Sequence, residues 1–494
     1  MNKKLGKKTQ NSENKIWGVV KVIILAVQAV FSVALISSMI MTGILKTWTI
    51  IVVAVSLVAL FVLSLFFLLI KKKVKTPTQI VSFVASMLVT AVSIFAVRYT
   101  SAFNSFLNKI ISDGRELKEY SVYVLSDSGI DEVAQLESKN AGLLATDITA
   151  SKAEEELKKR VDVKTNTYED ITVMDEMMDG GLLDAMVLED SRVEAFREDW
   201  ANVFDDKKVI FNFSIEIVNE EGNTPQKEIT KEPFLISISG SDSRTGLKTT
   251  ARSDVNILAA VNPKTGKILL ASIPRDTYVQ LHGTTGLKDK LTHAGLYGVE
   301  MSKMTIEDLL GVDIDYTIKV GFETVVRIVD ELGGIEINSD TAMTLSASNS
   351  KKCTYTVGKQ WVDGDCALRF ARERKTYRTG DLHRGANQQE VLTAIINKMS
   401  SSRDYFLRLP EIMNAASDLF ETSLREEEIT EFIRMQLANQ IKWQTESIAV
   451  TGRSDMLPTY SMGANLPLYV MHPDATSLNA VHDKINEYLK QSEN

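Results

Sequence analysis

Three long apolar runs dominate the first hundred residues of the chain. They cover residues 22–41, 48–70 and 80–97, and each is about as long as an α-helix must be to cross a bilayer. The first run has the length of a signal peptide, but it lacks a clear small-residue cleavage site and two more runs follow at once. The pattern therefore predicts three membrane-spanning helices.

Lysines are distributed unevenly around these runs. They are dense before the first run and between the second and third, whereas a single lysine separates the first run from the second. Because positive loops stay in the cytoplasm, we expect a cytoplasmic tail over 1–21, a membrane region over 22–97 and an extracellular remainder. The predicted location is thus a multi-pass cell-membrane protein with its chemistry outside.

After the membrane region the pattern changes to short strands that alternate with amphipathic helices. Residues 112–230 predict a small, mixed α/β accessory domain without a catalytic constellation, closed by a turn-rich linker at 219–225. Residues 231–494 predict an α/β layered domain around a central sheet. The final part of this domain is expected to be mostly helical, with one late strand at 447–450 that returns to the sheet.

Composition excludes some functions. The net charge is -8 and the pI is about 5.5, which argues against nucleic acid as a partner. There are two cysteines and five scattered histidines, with no CxxC pair or His/Cys cluster that would bind zinc.

In the second half of the chain, charged residues lie at the ends of several predicted strands. Asp242 follows a strand at 234–238, whereas Arg252 and Asp254 precede a hairpin that exits through Arg275. Two carboxylates on adjacent strand ends suit Mg²⁺, which bridges protein carboxylates to phosphate oxygens. A lone aspartate in a loop more often forms a turn, but the flanking arginines favour an anion site with a metal. The Gly-Lys-Ser/Thr signature of a nucleotide-binding loop is absent.

Residues 369–384 contain five arginines, in a chain whose net charge is acidic. Arg372 and Arg374 lie where a helix begun near Gly364 is expected to end, and Asp381 is predicted to be the N-cap of the next helix. Charged donors at a helix N-terminus suit an anionic ligand.

On this second helix Arg384 and Gln388 lie four residues apart and share a face. The same face continues with apolar residues: Val391, Leu392, Ile395, Ile396 and Met399. A ligand with an anionic head and an apolar tail would fit this arrangement. The alternative is a solvated basic loop that leads into an ordinary amphipathic core helix.

Together these motifs resemble the LytR-CpsA-Psr family of Gram-positive cell-envelope proteins, in its capsule-associated CpsA-like branch. The residues that carry the resemblance are 241–244 (Ser-Asp-Ser-Arg), 252–254 (Arg-Ser-Asp), 272–276 (Ser-Ile-Pro-Arg-Asp), 330–334 (Asp-Glu-Leu-Gly-Gly), 372–374 (Arg-Glu-Arg), 380–384 (Gly-Asp-Leu-His-Arg) and 388–389 (Gln-Gln). The resemblance implies a transferase that moves a glycopolymer, capsular polysaccharide or teichoic-acid-like, from an undecaprenyl-pyrophosphate carrier to peptidoglycan through a phosphodiester bond. Other capsule-assembly membrane proteins are further expected partners.

The resemblance also implies roles for individual residues. By position, Asp242 and Asp254 match the acids associated with Mg²⁺, and with Arg252 and Arg275 they form the expected catalytic set. The residues expected to hold the pyrophosphate are Arg252, Arg275, Arg372, Arg374, Asp381, Arg384 and Gln388.

Two other functions remain open at this point. The first is a non-enzymatic regulator or scaffold of capsule assembly that binds lipid-linked polymer. The second is a polyprenyl pyrophosphatase, in which water replaces the acceptor sugar. The residues alone do not separate these functions from the transferase.

The two cysteines, Cys353 and Cys366, both fall in the part of the chain expected to lie outside the cell. That environment is oxidising, and disulfides persist there. We therefore predict a disulfide that closes the loop before the arginine-rich helix.

Overall fold

The computed structural model of the protein describes residues 2–41, 43, 47–70, 76–218, 227–241, 246–346 and 351–490. The predicted linker at 219–225 lies outside the described residues, as does Asp242. By its internal contacts the chain divides into two units. One comprises residues 1–108 together with 426–439, and the other comprises 109–425 together with 440–494.

Helices are numbered along the described part of the chain. They are α1 Asn2–Met41, α2 Thr47–Leu65, α3 Thr76–Ile110, α4 Ala150–Lys158, α5 Ile171–Asp179, α6 Asp190–Arg197, α7 Leu291–Ala294, α8 Val299–Leu310, α9 Phe322–Glu331, α10 Gly364–Arg372, α11 Asp381–Ser400, α12 Arg403–Leu407, α13 Leu409–Asn414, α14 Glu426–Asn439 and α15 Ala475–Lys490. A π-helical turn, Phe66–Ile70, extends α2.

Strands are numbered in the same way. They are β1 Arg115–Leu125, β2 Asn140–Leu144, β3 Lys164–Tyr168, β4 Ala185–Glu189, β5 Lys207–Val218, β6 Phe234–Ser241, β7 Val255–Asn262, β8 Lys267–Ser272, β9 Tyr278–Val279, β10 Asp289–Lys290, β11 Tyr316–Gly321, β12 Ile335–Ser339, β13 Met343–Ser346, β14 Lys352–Tyr355, β15 Gly358–Val362, β16 Phe420–Thr422, β17 Gln444–Ala449, β18 Gly452–Thr459 and β19 Gly463–Pro473.

The first unit contains the three predicted apolar helices and α14. The segments Trp17–Met41, Thr47–Leu68 and Pro77–Ile110 are each long and apolar enough to cross a membrane. A small apolar core joins α1 to α2 through Leu35 and Leu57. These helices therefore have the character of a membrane anchor.

The second unit contains two sheets. Residues 115–218 form a five-stranded sheet in the order β3-β2-β4-β1-β5, with parallel pairs at β2–β3 and β2–β4 and antiparallel pairs at β1–β4 and β1–β5. Apolar clusters that include Met174 and Phe196 on one side, and Leu143 and Leu157 on the other, cover this sheet. This is the mixed α/β arrangement predicted for the accessory region.

The larger sheet has six strands in the order β16-β11-β6-β7-β8-β17. The predicted hairpin is β7–β8, and its register runs from Ile257 opposite Ser272 to Asn262 opposite Lys267. β6 runs antiparallel to β7 and parallel to β11. The ends of β6 and β8 and the start of β7 therefore lie at one edge of the sheet, which is the edge that carries the predicted site.

Helices cover both faces of this six-stranded sheet. Leu269 and Ala271 of β8 pack into an apolar cluster with residues of α8 and α15, such as Ile306 and Ile485. Because neighbouring residues of a strand point to opposite faces, Ser272 faces the other side, where α11 lies against it. The predicted α/β layered class is confirmed.

The C-terminal part departs from the sequence expectation, since it is not mostly helical. The predicted late strand is present as β17, which pairs in parallel with β8. However, β18 and β19 form an antiparallel hairpin that the sequence analysis did not predict. Pro458 and Pro467 stand opposite each other in this hairpin, and proline within a strand argues against a strand assignment.

The predicted disulfide is confirmed. Cys353 and Cys366 are bonded to each other, with their Cα atoms 5.4 Å apart. Both cysteines are buried beside Phe370 and Val391, so the bridge joins β14 to α10 inside the core that supports the arginine-rich helices.

Candidate functional site

The site is centred on Asp254, which directly precedes β7. Its backbone N–H donates to the carbonyl of Gly240 in β6 at 2.8 Å, and this bond fixes the aspartate between two strand ends. The Arg275 guanidinium, which follows β8, donates from Nη1 to Oδ1 of Asp254 at 2.8 Å. The hydroxyl of Thr292 donates to the same oxygen at 3.3 Å. The contact between Asp254 and Arg275 confirms that the strand ends bring these residues together.

A short loop holds both sides of this pair in register. The N–H of Ser253 donates to the carbonyl of Thr292, and the N–H of Thr292 donates to the carbonyl of Arg275. Gly295 follows in the same segment and lies so close to the 251–253 backbone that a Cβ there would stand 2.4 Å from the carbonyl oxygen of Ala251. A residue without a side chain is therefore required for this close approach.

This approach leads to a prediction for Gly295→Ala. The added methyl group must push the 251–253 backbone away, which displaces the residue that precedes β7. We expect the free energy of unfolding to fall by about 1–3 kcal/mol, the usual cost of overpacking, and anion binding to weaken as well. Denaturant unfolding and titration with inorganic pyrophosphate measure the two effects. Gly180→Ala, at a position with helical backbone and 3.3 Å to the nearest carbonyl, is the matched control and should change neither.

Arg252 is the second arginine of the site. Its Nη1 lies 2.6 Å from Oε2 of Glu198, which is at the C-terminal end of α6 in the accessory region. The sequence analysis missed Glu198, because no local pattern links a helix end to a loop more than fifty residues later.

The arginine-rich helix α11 is placed against the sheet by small and polar contacts. A Cβ on Gly385 would lie 2.6 Å from Oγ of Ser272, and the amide of Gln389 donates to the carbonyls of Leu270 and Ile448, each at 2.8 Å. These contacts bring the first turn of α11 to the edge of the sheet that carries Asp254.

Arg384 lies on this first turn and pairs with Asp381. The N-cap position belongs to Gly380, whose φ is +48°, and Asp381 is the first helical residue. The prediction of Asp381 as N-cap is therefore wrong: its carboxylate turns towards Arg384 instead of capping the backbone. Burial, the main cause, raises the pKa of Asp381, and the charge of Asp276 adds to this effect against the attraction of Arg384.

The other predicted residues occupy different surroundings. Arg372 is exposed at the end of α10, and its guanidinium carbon lies 4.5 Å from the centre of the Phe322 ring. Arg374 is exposed too, but its charge reaches Asp381. Gln388 is half-buried on α11. The structure thus places Arg372 beside Phe322, while Arg374 is within electrostatic range of Asp381.

The apolar stripe of α11 is part of the core. Val391 is buried, and Ile395 and Met399 pack against the same cluster, which also contains Phe370 of α10. This finding favours the alternative of an amphipathic core helix for the stripe itself.

Charge at the site is strongly coupled. Burial pushes the pKa of Asp254 upward, but the charges of Arg275 and Arg252 and the hydrogen bond from Arg275 outweigh it and hold the pKa below its usual value. Arg384 shows the opposite balance: burial, aided by the like charge of Arg275, holds its pKa below the usual value despite Asp381. Burial thus destabilises the charged form of Arg384. An anion that binds beside this guanidinium stabilises it.

Several buried atoms of the site lack a well-aligned hydrogen bond within the described part of the chain. They are Nε of Arg275, Oδ1 of Asp276 and Oδ1 of Asp381. Lys290 lies 3.1 Å from Oδ1 of Asp276, and Arg384 pairs with Oδ1 of Asp381, so both oxygens have a charged neighbour. Such atoms are suited to be completed by a ligand, a cation or water.

These residues fit a magnesium ion. The described contacts of Asp254 all go to Oδ1, which leaves Oδ2 as a candidate oxygen ligand. The described ranges contain no group of three or more His, Cys, Asp or Glu suited to a metal, so an ion would rest on few carboxylates and on ligand oxygens. Mg²⁺ binds in that way, with waters filling the remaining positions.

The fold and the site together define an α/β protein with a largely buried cluster of arginines and carboxylates, in a chain that also contains three helices with the character of a membrane anchor. The model of the LytR_cpsA_psr family matches residues 202–481, which is more than half of the chain. The chain belongs to the LytR_cpsA_psr family.

Individual relatives share this region. TagV of Bacillus subtilis (strain 168), named a polyisoprenyl-teichoic acid–peptidoglycan teichoic acid transferase, is 32% identical over 268 residues, or 53% of this chain and 66% of TagV. TagU of the same strain, which bears the same description, is 39% identical over 169 residues, or 34% of this chain and 53% of TagU. The chain therefore spans less than two thirds of the length of these relatives.

Solved structures are similar to about half of the chain. The crystal structure of B. subtilis TagV is 31% identical and covers 52% of this chain and 98% of that one, with a TM-score of 0.44. A structure of TagT bound to LI-WTA is 27% identical and covers 55% of this chain and 97% of that one, with a TM-score of 0.42.

Proposed function

We propose that the protein is a membrane-anchored transferase. It moves a glycopolymer, capsular polysaccharide or teichoic-acid-like, from an undecaprenyl-pyrophosphate carrier onto peptidoglycan through a phosphodiester bond. The observation that carries this proposal is the grouping of Arg252, Arg275 and Arg384 around the ionised Asp254 at one edge of the sheet. Family membership and the teichoic acid transferase activity for which TagV and TagU are named support the same reaction class.

The chemistry that this site suits is displacement at phosphorus. An acceptor hydroxyl of peptidoglycan forms a new bond to the sugar-linked phosphorus, the bridging P–O bond breaks, and undecaprenyl phosphate leaves with the bonding electrons. The hydroxyl proton is released to solvent or to a carboxylate of the site. Guanidinium groups of Arg275, Arg252 and Arg384 stabilise the negative charge on the phosphate oxygens through bidentate contacts.

A magnesium ion would be held by Asp254, together with Asp242 from outside the described residues. When bound, it would neutralise charge on the pyrophosphate and polarise its oxygens. The role of Asp254 is to stay ionised in a buried position, which its neighbours Arg275 and Arg252 favour. The role of these arginines is to orient the two phosphates relative to that carboxylate.

The proposed orientation places the site outside the cell. It rests on the lysine-rich tail and the lysine-rich segment between the second and third apolar runs. The disulfide between Cys353 and Cys366 supports this side of the membrane, because disulfides persist in oxidising surroundings. Capsule-assembly membrane proteins remain proposed partners.

The test uses the full chain in detergent with a lipid-pyrophosphoryl oligosaccharide, peptidoglycan fragments and Mg²⁺. We expect phosphate-linked oligosaccharide on peptidoglycan, and a large loss of product when EDTA removes the metal. Free oligosaccharide phosphate without a peptidoglycan product would instead indicate a pyrophosphatase. Tight binding of the lipid with no product would favour the scaffold. Full turnover in EDTA would remove magnesium from the mechanism.

A further inference from the structure

Each arginine at the centre of the site is paired with a carboxylate. The pairs are Arg252 with Glu198, Arg275 with Asp254 and Arg384 with Asp381. The acids differ in how far they are exposed. The side chain of Glu198 is 48% exposed, whereas those of Asp254 and Asp381 are each 16% exposed.

Glu198 also differs in origin. It comes from the C-terminal end of α6 in the accessory region and lies just before the residues 202–481 that match the family. A carboxylate at a helix C-terminus is disfavoured by the partial negative charge of the last carbonyls. Its position is therefore explained by the cation it meets, Arg252, at 2.6 Å.

The pKa of Glu198 depends on several charged groups of the site. Burial acts to raise its pKa, but the hydrogen bond and charge of Arg252 and the charge of Arg275 lower it below the usual value. The carboxylate of Asp254 acts in the opposite direction. Glu198 is thus an ionised group that competes for the same positive charge an incoming phosphate would use.

We propose that Glu198 is the exchangeable counter-ion of Arg252. A pyrophosphate displaces it from the guanidinium on binding, and Glu198 pairs with Arg252 again when the phosphate product leaves. This inference rests on the proposed function and adds to it a residue supplied by the accessory region.

The exposure of the Glu198 carboxylate explains why this ion pair can open, whereas the pairs of Asp254 and Asp381 remain closed. When Glu198 leaves Arg252, its carboxylate returns to water, and ion pairs this exposed contribute little to stability. Asp254 and Asp381 would instead be left buried without a partner, which is costly. Competition from Glu198 therefore lowers the affinity of the site for any phosphate group that must reach Arg252.

The first experiment compares Glu198→Gln with Glu194→Gln in the full chain in detergent. Glu194 is exposed one helical turn earlier on α6, so it presents the same charge on the same face. Calorimetric titration measures the Kd of inorganic pyrophosphate and of inorganic phosphate. For Glu198→Gln we expect both Kd values to fall by about 3- to 10-fold, whereas Glu194→Gln should match the unchanged protein.

The second measurement is turnover in the transfer assay. Because slower release of the phosphate product limits Glu198→Gln, we expect a lower KM together with a lower kcat, and normal values for Glu194→Gln. A merely structural role for Glu198 would lower kcat without tightening pyrophosphate binding.

The two proposals fail in different ways. Unchanged or weaker pyrophosphate binding by Glu198→Gln overturns the exchange, since weaker binding would mean that Glu198 holds Arg252 in its binding position. Equal tightening by Glu194→Gln overturns it too, because the effect would then be one of general charge. Tighter binding in a protein that forms no transfer product supports the counter-ion role and contradicts the proposed transferase instead.

Discussion

Arg275→Ala is expected to lower kcat/KM of the transfer reaction by about 10²- to 10³-fold, the usual effect of removing one preorganised donor to a developing charge. Arg275 lies between Asp254 and Asp276, with Nη1 at 2.8 Å from the first carboxylate and Nε at 3.9 Å from the second. The variant therefore also leaves a largely buried carboxylate without its main partner. We expect the free energy of unfolding to fall by about 3 kcal/mol.

Two further variants make the Arg275 result specific. Arg275→Lys keeps the charge but lacks the planar fork, so it should restore most of the stability and only part of the turnover. Arg378→Ala removes an exposed arginine of the 369–384 stretch that matches no family motif, and it should leave both quantities unchanged. Assays of transfer and denaturant unfolding provide the readouts. Equal, small losses for Arg275→Ala and Arg378→Ala would mean that the arginines form a solvated basic surface without a specific anion site.

Removal of the disulfide is expected to have the second-largest effect, on stability. Cys353 and Cys366 are thirteen positions apart, and closing a loop of that size contributes roughly 3 kcal/mol in the chain-entropy model. We expect the double variant Cys353→Ala/Cys366→Ala to lose about this free energy of unfolding. Pyrophosphate affinity should change less than in Arg275→Ala, since neither cysteine touches a site arginine directly.

Reduction provides the control for the disulfide. The unchanged protein should lose a similar free energy of unfolding in a strong thiol reductant, whereas the double variant should be insensitive to it. Alkylation of both thiols by iodoacetamide in unreduced, freshly purified protein would show that the bridge does not form. A reductant effect of equal size in the double variant would assign the loss to another cause.

The sequence predicted the central part of the site because local rules sufficed there. A hairpin with a turn at 262–266 places the residue before β7 beside the residues after β8, so the contact of Asp254 with Arg275 follows from strand pairing alone. The arginine-rich helices were also predicted, because Gly364 and Gly380 mark helix boundaries in the sequence.

Features that depend on distant contacts were not accessible in this way. Glu198 meets Arg252 only because the accessory region folds against the loop before β7, and its surroundings in the sequence are those of an ordinary helix end. Asp381 follows a glycine and is a residue type that favours the N-cap position. In the structure, however, the carboxylate of Asp381 pairs with the guanidinium of Arg384. The region of β18 and β19 was expected to be mostly helical, and Pro458 and Pro467, which oppose each other in the hairpin, weaken the strand signal there.

The contacts of Gln389 have a consequence for the order of folding. Its amide joins Leu270, which lies 119 positions earlier, to Ile448, which lies 59 positions later. As the chain emerges during synthesis, α11 appears before β17, the strand that completes its contacts with the sheet. Pairings between such distant segments form slowly. The anion site is therefore expected to mature last, after β17 has joined β8, and chains truncated before residue 444 should carry all the site arginines without a fixed arrangement.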